Sequence, residues 1–179
     1  MQRPPTMTTP HLLLRPHDEA EIEDLCRLER AAHRRYLSLK GYEKFAAAPA
    51  INPERFRAGI TRVAEYDGQR AGYILTQSLD DMLYVASLMV EDEMSGKSIG
   101  RGLLDWAEAH AKSAGLSATC LATFRLPPWN APWYGKLGYT EIPMERIGPG
   151  LQAILDRHAT FLDMALRTTM WKPTGLGTN

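Results

Sequence analysis

A single mixed α/β domain is the fold class this chain predicts, and three features predict it. Two strand-like runs flank Asp67-Gly68, residues 82–124 read as strand, turn, helix and strand, and two further extended runs follow a short aromatic-rich helix. Asp-Gly suits a tight antiparallel hairpin because both central residues tolerate positive φ. A strand–helix–strand crossover instead makes its two strands parallel neighbours, so one sheet must hold both kinds of pairing. At 179 residues the chain has the length of one domain, able to bury roughly 70% of the surface its unfolded form exposes.

The elements follow in order. Residues 1–10, MQRPPTMTTP, form a flexible, proline-rich leader without the apolar centre of a signal peptide. HLLLRP, residues 11–16, is a short apolar run ended by proline, a first strand. A helix comes next, with Asp18 as its cap, Glu19, Glu21 and Glu23 at its positive end, and Ile22, Leu25, Cys26, Leu28 and Ala32 on one face, ending near Gly41. Asn52 and Pro53 open a second, short helix. The hairpin about Asp67-Gly68 leads to DMLYVASLMVEDE, whose near-continuous apolar character marks a strand buried on both faces. GRGLLDWAEAHAKSAG is a long helix that buries Leu103, Leu104, Ala107 and Ala111 and stops at Gly115. LSATCLATF is the parallel strand, residues 133–137 lie in a short helix, and GYTEIP and DMALRTTMWKP are the last strands. The order is β-α-α-β-β-β-α-β-α-β-β: one domain over residues 11–172, with a loose tail at 173–179.

Composition excludes several classes of function. Lysine plus arginine equals aspartate plus glutamate at 21 each, so no global field gathers nucleic acid or an anionic membrane. No stretch reaches the ~18 consecutive apolar residues of a spanning helix. Cys26 and Cys120 form neither a CxxC pair nor a cysteine–histidine cluster, which argues against a zinc site or a disulfide framework and fits a cytoplasmic location. Neither has a neighbour that marks it as an acyl-carrying nucleophile.

The stretch SGKSIGRGLL, residues 95–104, places glycines and two cations at the mouth of the long helix. The first amides of a helix lack internal partners and point outward at the positive end of its dipole. Glycine lets the chain approach a bulky phosphate, and Lys97 and Arg101 add charge, so a pyrophosphate suits the place. A capped surface turn is the alternative on spacing alone. Neither the GxxxxGK pattern of a P-loop nor the GxGxxG dinucleotide fingerprint is present.

The strand LYVASLMV, this loop, the strand LATF, the segment PPWNAPWYGKLGY and the late strand together resemble the GCN5-related N-acetyltransferases (GNAT), and TFRLPPWNAPWYGKLGY resembles a bacterial branch of them. The resemblance implies a GNAT-like α/β domain with a mixed central sheet of six to seven strands, two of them parallel and splayed, flanked by about four helices. It implies acetyl-CoA as cosubstrate with no metal, and transfer of acetyl to the amine of a small molecule by direct attack in a ternary complex. A homodimer is compatible with it.

By the same resemblance, Ser95, Gly96, Lys97, Ser98, Ile99, Gly100 and Arg101 cradle the pyrophosphate. The family pattern at positions 95, 98 and 100 is Gln or Arg, Gly, and Gly or Ala, where this chain has Ser95, Ser98 and Gly100. Leu88, Met89 and Val90 offer main-chain groups to the pantetheine arm, Asn130 contacts the CoA chain, and Tyr134 is the general acid for the leaving thiolate. Without the family pattern, Tyr134 would be one packing aromatic among Trp129, Trp133 and Tyr139. The branch carries carboxylates on the strand before the loop, where this chain has Ala86 and Ser87. Glu29, with His33 one turn on, matches a glutamate that holds or deprotonates the amine, although a helix carboxylate is by itself commonly a solvated surface group. Asp80 and Asp81 are candidates for an acceptor pocket, and His110 and His158 read as surface residues. The missing strand carboxylates and the two serines motivate an alternative, a non-catalytic acyl-CoA-binding or regulatory module.

Overall fold

The computed structural model describes residues 11–48 and 51–175. The leader at 1–10 and tail residues 176–179 lie outside the described residues. Seven strands, β1 (Leu12–Arg15), β2 (Ile60–Tyr66), β3 (Gln69–Leu79), β4 (Met82–Val90), β5 (Ala118–Phe124), β6 (Thr140–Glu141) and β7 (Arg167–Pro173), form one sheet in the order β1-β2-β3-β4-β5-β7-β6. Only β4 and β5 pair in parallel; every other neighbouring pair is antiparallel. The helices are α1 (Ile22–His33), α2 (Glu43–Ala46), α3 (Glu54–Ala58), α4 (Ile99–Ser113), α5 (Ala131–Lys136) and α6 (Pro149–Ala159). Among the described residues no helix is long and apolar enough to cross a membrane.

The expected hairpin forms, with Asp67 at φ 51° and Gly68 at φ 77° between β2 and β3. The crossover β4–α4–β5 also forms, and Gly115, at φ 73°, ends α4 as the Leu116 N–H closes back on the Ala111 carbonyl at 2.9 Å. The sheet is covered on both sides. On one, Leu103, Leu104 and Ala107 of α4 pack on Ile74, Leu83, Val85 and Leu121, joined by Tyr134 of α5. On the other, Ile22 and Leu25 of α1 and Phe56 of α3 pack on Val63, Tyr73 and Leu75, while Leu151 and Ile154 of α6 pack on Met82, Tyr84 and Cys120. Burying each leucine, isoleucine, valine, methionine or phenylalanine among them fully contributes about 1.5–3 kcal/mol.

Several sequence expectations need correction. The first helix does not run to Gly41: α1 ends at His33 and the chain tightens into a 3₁₀ turn over Arg34–Ser38. Packing decides this, because the tighter turn places Tyr36 against Phe45, Phe124 and Trp129 with ring centroids 4.8, 5.3 and 5.8 Å away. The tail is not loose where it is described, since Pro173 ends β7 and the Thr174 hydroxyl donates to the Leu116 carbonyl at 2.8 Å. Helix α2 was not anticipated, nor was α6, which lies in IGPGLQAILDRHAT, where the Gly-Pro-Gly run reads as loop. Pro149 is instead the first helical residue of α6, and Asp80 caps the helix from the β3–β4 turn. Its two carboxylate oxygens accept from the Gly150 N–H at 2.9 Å and the Leu151 N–H at 3.1 Å. A Cβ at residue 148 would sit 2.5 Å from that carboxylate, so the glycine makes room for the cap. Asp80 therefore does not line an acceptor pocket, and Asp81 turns to Arg146 at 3.8 Å.

Replacing Asp80 by alanine removes this cap from a residue held at φ 54°. The expected loss is about 1–2 kcal/mol, read as a lower urea midpoint with an unchanged slope. Asp80→Asn, which tolerates the left-handed backbone, should fall between the two. An unchanged midpoint for Asp80→Ala would contradict the capping role.

Candidate active site

The site begins where the parallel pairing stops. Strand β4 matches β5 at Met82 with Ala118, Leu83 with Thr119 and Tyr84 with Cys120, and no further. The cause is local: on its β3 side β4 carries a bulge, Leu75 opposing Ser87 and Thr76 opposing Val85, with Ala86 as the extra residue. A bulge bends its strand and raises its twist, so β4 swings away from β5 just past the last pair. The gap opens into a cavity of about 740 Å³ whose walls include residues from both faces of the sheet. Leu88, Met89 and Val90 all line it. The Glu91 N–H donates back to the Ala71 carbonyl of β3 at 2.9 Å, whereas the Val90 carbonyl accepts from Arg35 at 3.4 Å. Alternation along the strand then turns the main-chain groups of Leu88 and Val90 toward the gap and those of Met89 toward β3.

On the α4 side, the helix mouth closes one end of the cavity. Ser95, Gly96, Ser98, Ile99, Gly100 and Arg101 line it; Lys97 does not, and its ammonium lies 4.9 Å from the centre of the Tyr66 ring. The amides of Ile99, Gly100 and Arg101 open the helix and have no partner within it. Ser98, at φ 59°, adopts the left-handed conformation that suits glycine, which costs about 1–2 kcal/mol for another residue. A Cβ on Gly100 would meet the Trp133 ring at 3.3 Å, so glycine keeps this wall narrow. Arg101 is tied to Asp105 at 2.7 Å. Arg35, which also pairs with Asp92, lines the cavity as well and was not foreseen from the sequence.

Asn130 and Tyr134 stand on the β5 side. The Asn130 carbonyl oxygen accepts from the Tyr36 hydroxyl at 2.7 Å and its amide donates to the Thr123 hydroxyl at 3.0 Å, while the Trp129 indole donates to Tyr36 at 3.1 Å. The side chain of Asn130 thus fixes the start of α5 against β5. The Tyr134 ring meets Trp133 and Tyr139 edge-on, with centroids 4.9 and 5.7 Å away. Its hydroxyl makes no hydrogen bond among the described residues and faces the cavity. Burial, reinforced by Tyr36 and Tyr84, pushes its pKa far above the ordinary phenol value, so it keeps its proton.

Across the sheet lies Glu29 of α1, a buried group 7% exposed rather than a solvated one. One carboxylate oxygen accepts from the Tyr73 hydroxyl at 2.9 Å and from the Ser87 hydroxyl at 3.4 Å; the other lies 3.6 Å from His33. Burial raises the Glu29 pKa above the usual carboxylate value, and the Tyr73 hydrogen bond opposes that rise. Where β4 itself offers only Ala86 and Ser87, the carboxylate arrives from the helix above.

The rest of this wall carries two guanidiniums and an imidazole. Arg55 of α3, Arg167 of β7 and His158 of α6 all line the cavity. Arg167, 8% exposed, donates to the Ala122 carbonyl at 2.8 Å and lies 4.7 Å from the Phe124 ring centre, and its Nε is buried without a partner. His158 is a half-buried wall residue, not a surface one; burial, with Arg167, Arg157 and Arg55 nearby, pushes its pKa down to about 4 and keeps it neutral. Among the described residues that line the cavity, Glu29 is the only carboxylate. Sequence reading missed Arg55, Arg167 and His158; the one trace is that Arg167 shares strand parity with the inward Trp171. Cys26 and Cys120 are buried free thiols, and burial pushes Cys120 up to about 12, which suits neither to nucleophilic attack. No cluster of potential metal ligands occurs among the described residues.

Comparison with known proteins matches residues 57–141 to a family model described as an acetyltransferase (GNAT) domain. The fold is similar to that of PaiA N-acetyltransferase from Thermoplasma acidophilum in complex with coenzyme A, with a TM-score of 0.66 and 17% identity over 91% of this chain and 99% of that one. It is similar to the ribosomal-protein-S18-alanine N-acetyltransferase from Escherichia coli, with a TM-score of 0.65 and 13% identity over 94% and 97%. An aminoglycoside 6'-acetyltransferase type Ii gives 0.60 and 19% over 90% and 97%. At these identities the likeness is one of fold.

The buried Glu29 has a consequence for stability. Its folded pKa lies above the reference value of 4.5, so the folded state holds that proton more tightly than the unfolded chain. Its contribution to stability is fully present below the unfolded value and is lost as pH rises through the raised folded one. Glu29→Gln cannot ionise, so its melting temperature relative to the native protein should climb as pH rises from about 4 to about 8. A difference that is flat with pH, or that falls, would contradict this.

Proposed function

With residues 57–141 matching a family model described as an acetyltransferase (GNAT) domain, we propose that this chain is an acetyl-CoA-dependent N-acetyltransferase that acetylates a small-molecule amine by direct attack in a ternary complex. The observation that carries the reading is the slot between β4 and β5, which runs from the free amides of α4 past Tyr134 to Glu29. The residues present fit the cosubstrate. Free amides and Arg101 suit a pyrophosphate, the narrow wall at Gly100 suits an extended chain, and the main-chain groups of Leu88 and Val90 suit the amides of a pantetheine arm. When bound there, acetyl-CoA supplies an activated acetyl thioester.

This chain's residues then divide the work. Glu29, desolvated and so more basic than an ordinary carboxylate, takes the proton from the acceptor ammonium; Tyr73 and Ser87 orient it. A main-chain N–H of β4 in the gap polarises the acetyl carbonyl as negative charge develops on its oxygen. Tyr134, neutral throughout the working range, presents its hydrogen to the departing thiolate. Direct transfer is favoured over a covalent enzyme intermediate because both thiols are buried and held protonated. Free cysteines also suit a cytoplasmic protein. The serines at 95 and 98 favour the second reading, a non-catalytic acyl-CoA-binding module. The Glu29–Ser87 contact weighs against its other ground, the lack of a carboxylate at that strand.

Tyr134→Phe keeps the ring and its edge contacts, so acetyl-CoA affinity by calorimetry should persist while kcat falls about 10²–10⁴-fold. Near-normal kcat would return Tyr134 to a packing role. Gly100→Asp brings a like charge and a side chain to the wall at Trp133 and should sharply weaken acetyl-CoA binding without unfolding the protein. Tight acetyl-CoA binding with no turnover across a panel of amines would establish the non-catalytic module instead.

A further inference from the structure

We propose that the acceptor carries a carboxylate as well as an amine, and that Arg167 and Arg55 hold it beside His158 on the α1 and α6 side of the sheet. The inference rests on the acetyltransferase reading above and goes beyond it to the chemistry of the substrate. Arg167 is more than nine-tenths buried, yet no carboxylate pairs with it among the described residues. One nitrogen is spent on the Ala122 carbonyl, the guanidinium lies over Phe124, and Nε is left buried without a partner. A charge taken out of water ordinarily ends against an opposite one. This chain follows that rule elsewhere, where burial demands it less. Arg15 pairs with Glu21 and Glu65, Arg57 with Glu19 and Glu54, and Arg70 with Asp24, each with a side chain more exposed than the buried Arg167. The most deeply buried of these guanidiniums is thus the one without a carboxylate.

Its position says which ligand would supply one. Arg167 stands opposite Phe124 in the β5–β7 register, Arg55 reaches the same wall from α3 and has no ion pair among the described residues, and Glu29 is the one carboxylate among the described residues that line the cavity. A wall with one anion and two unpaired guanidiniums complements a molecule with one ammonium and one carboxylate, as in an amino acid. It disfavours a polyamine, whose second cation would meet a guanidinium. The planar fork of Arg167 matches two carboxylate oxygens, and the half-buried imidazole of His158 is placed to share the same anion.

The test is calorimetric titration of the CoA-saturated protein with matched pairs, amino acids against their carboxamides, with an aminoalkyl phosphate as a third arm and acetyl transfer from acetyl-CoA to the same compounds followed in parallel samples. The carboxylate member should bind about 10- to 100-fold tighter. Arg167→Gln should abolish that preference with CoA affinity unchanged, and Arg167→Lys should restore it in part. Should Arg167→Gln melt early, Arg55→Gln reads the same preference from the outer edge of the wall and should reduce it. Equal affinity within pairs, a preference for the phosphate, or a preference kept by the Gln variants would overturn the proposal. Carboxylate-selective binding without acetyl transfer would support this anion site and refute the acetyltransferase reading alone.

Discussion

The structure depends on two parallel strands that stop pairing. After Tyr84 and Cys120, β4 and β5 run on to Val90 and Phe124 without pairing to each other. Main-chain groups are costly to bury without partners, so a gap of this kind must be lined by water or by a ligand that offers hydrogen bonds of its own. The bulge at Ala86 is what separates the strands, and it sits on the β3 side, where the antiparallel ladder is long enough to absorb it. Because α4 follows β4 in the crossover, the same divergence brings its free amides to the end of the gap. One irregularity in one strand thereby positions both the helix mouth and the opening through the sheet.

The two faces joined by that opening differ in character. On the α4 and α5 side the wall is apolar and aromatic, with Trp133, Tyr134 and Ile99 around glycine and helix amides. On the α1 and α6 side it is ionisable, with Glu29 opposed by Arg55, Arg167 and His158. A layer of rings, Tyr36, Tyr42, Phe45 and Phe124, seals the end between them and fixes Asn130 through the Tyr36 hydroxyl. Low dielectric on this side makes each unpaired charge expensive, and the same expense makes a complementary ligand selective.

How much of this was legible in the sequence depends on the range of the interaction. The Asp67-Gly68 hairpin, the α4 stripe ended by Gly115 and the parallel crossover rest on neighbours within a few residues, and periodicity and turn chemistry recover them. Helix α6 was lost because its cap, Asp80, lies in a distant turn; Gly148 and Pro149 then looked like a loop, when one glycine only makes space for that carboxylate. The burial of Glu29 is set by Tyr73 and Ser87, and the anchoring of Asn130 by Tyr36, contacts made across other elements. Arg167 is the clearest case. Apart from its shared parity with Trp171, ALRTTMWKP offers nothing to distinguish it from a surface arginine, and it is the convergence of β5, α3 and α6 that does so.

The central claim is that the gap between β4 and β5 is the passage through which an acyl-CoA thioester meets the acceptor. A crystal structure of the protein with CoA tests it most directly. The account predicts the pyrophosphate on the amides of Ile99 to Arg101, the pantetheine arm hydrogen-bonded to the main chain of Leu88 and Val90, and the sulfur beside the Tyr134 hydroxyl with its open valence toward Glu29. Density for CoA elsewhere, or β4 and β5 paired along their full length with the gap closed, would contradict it.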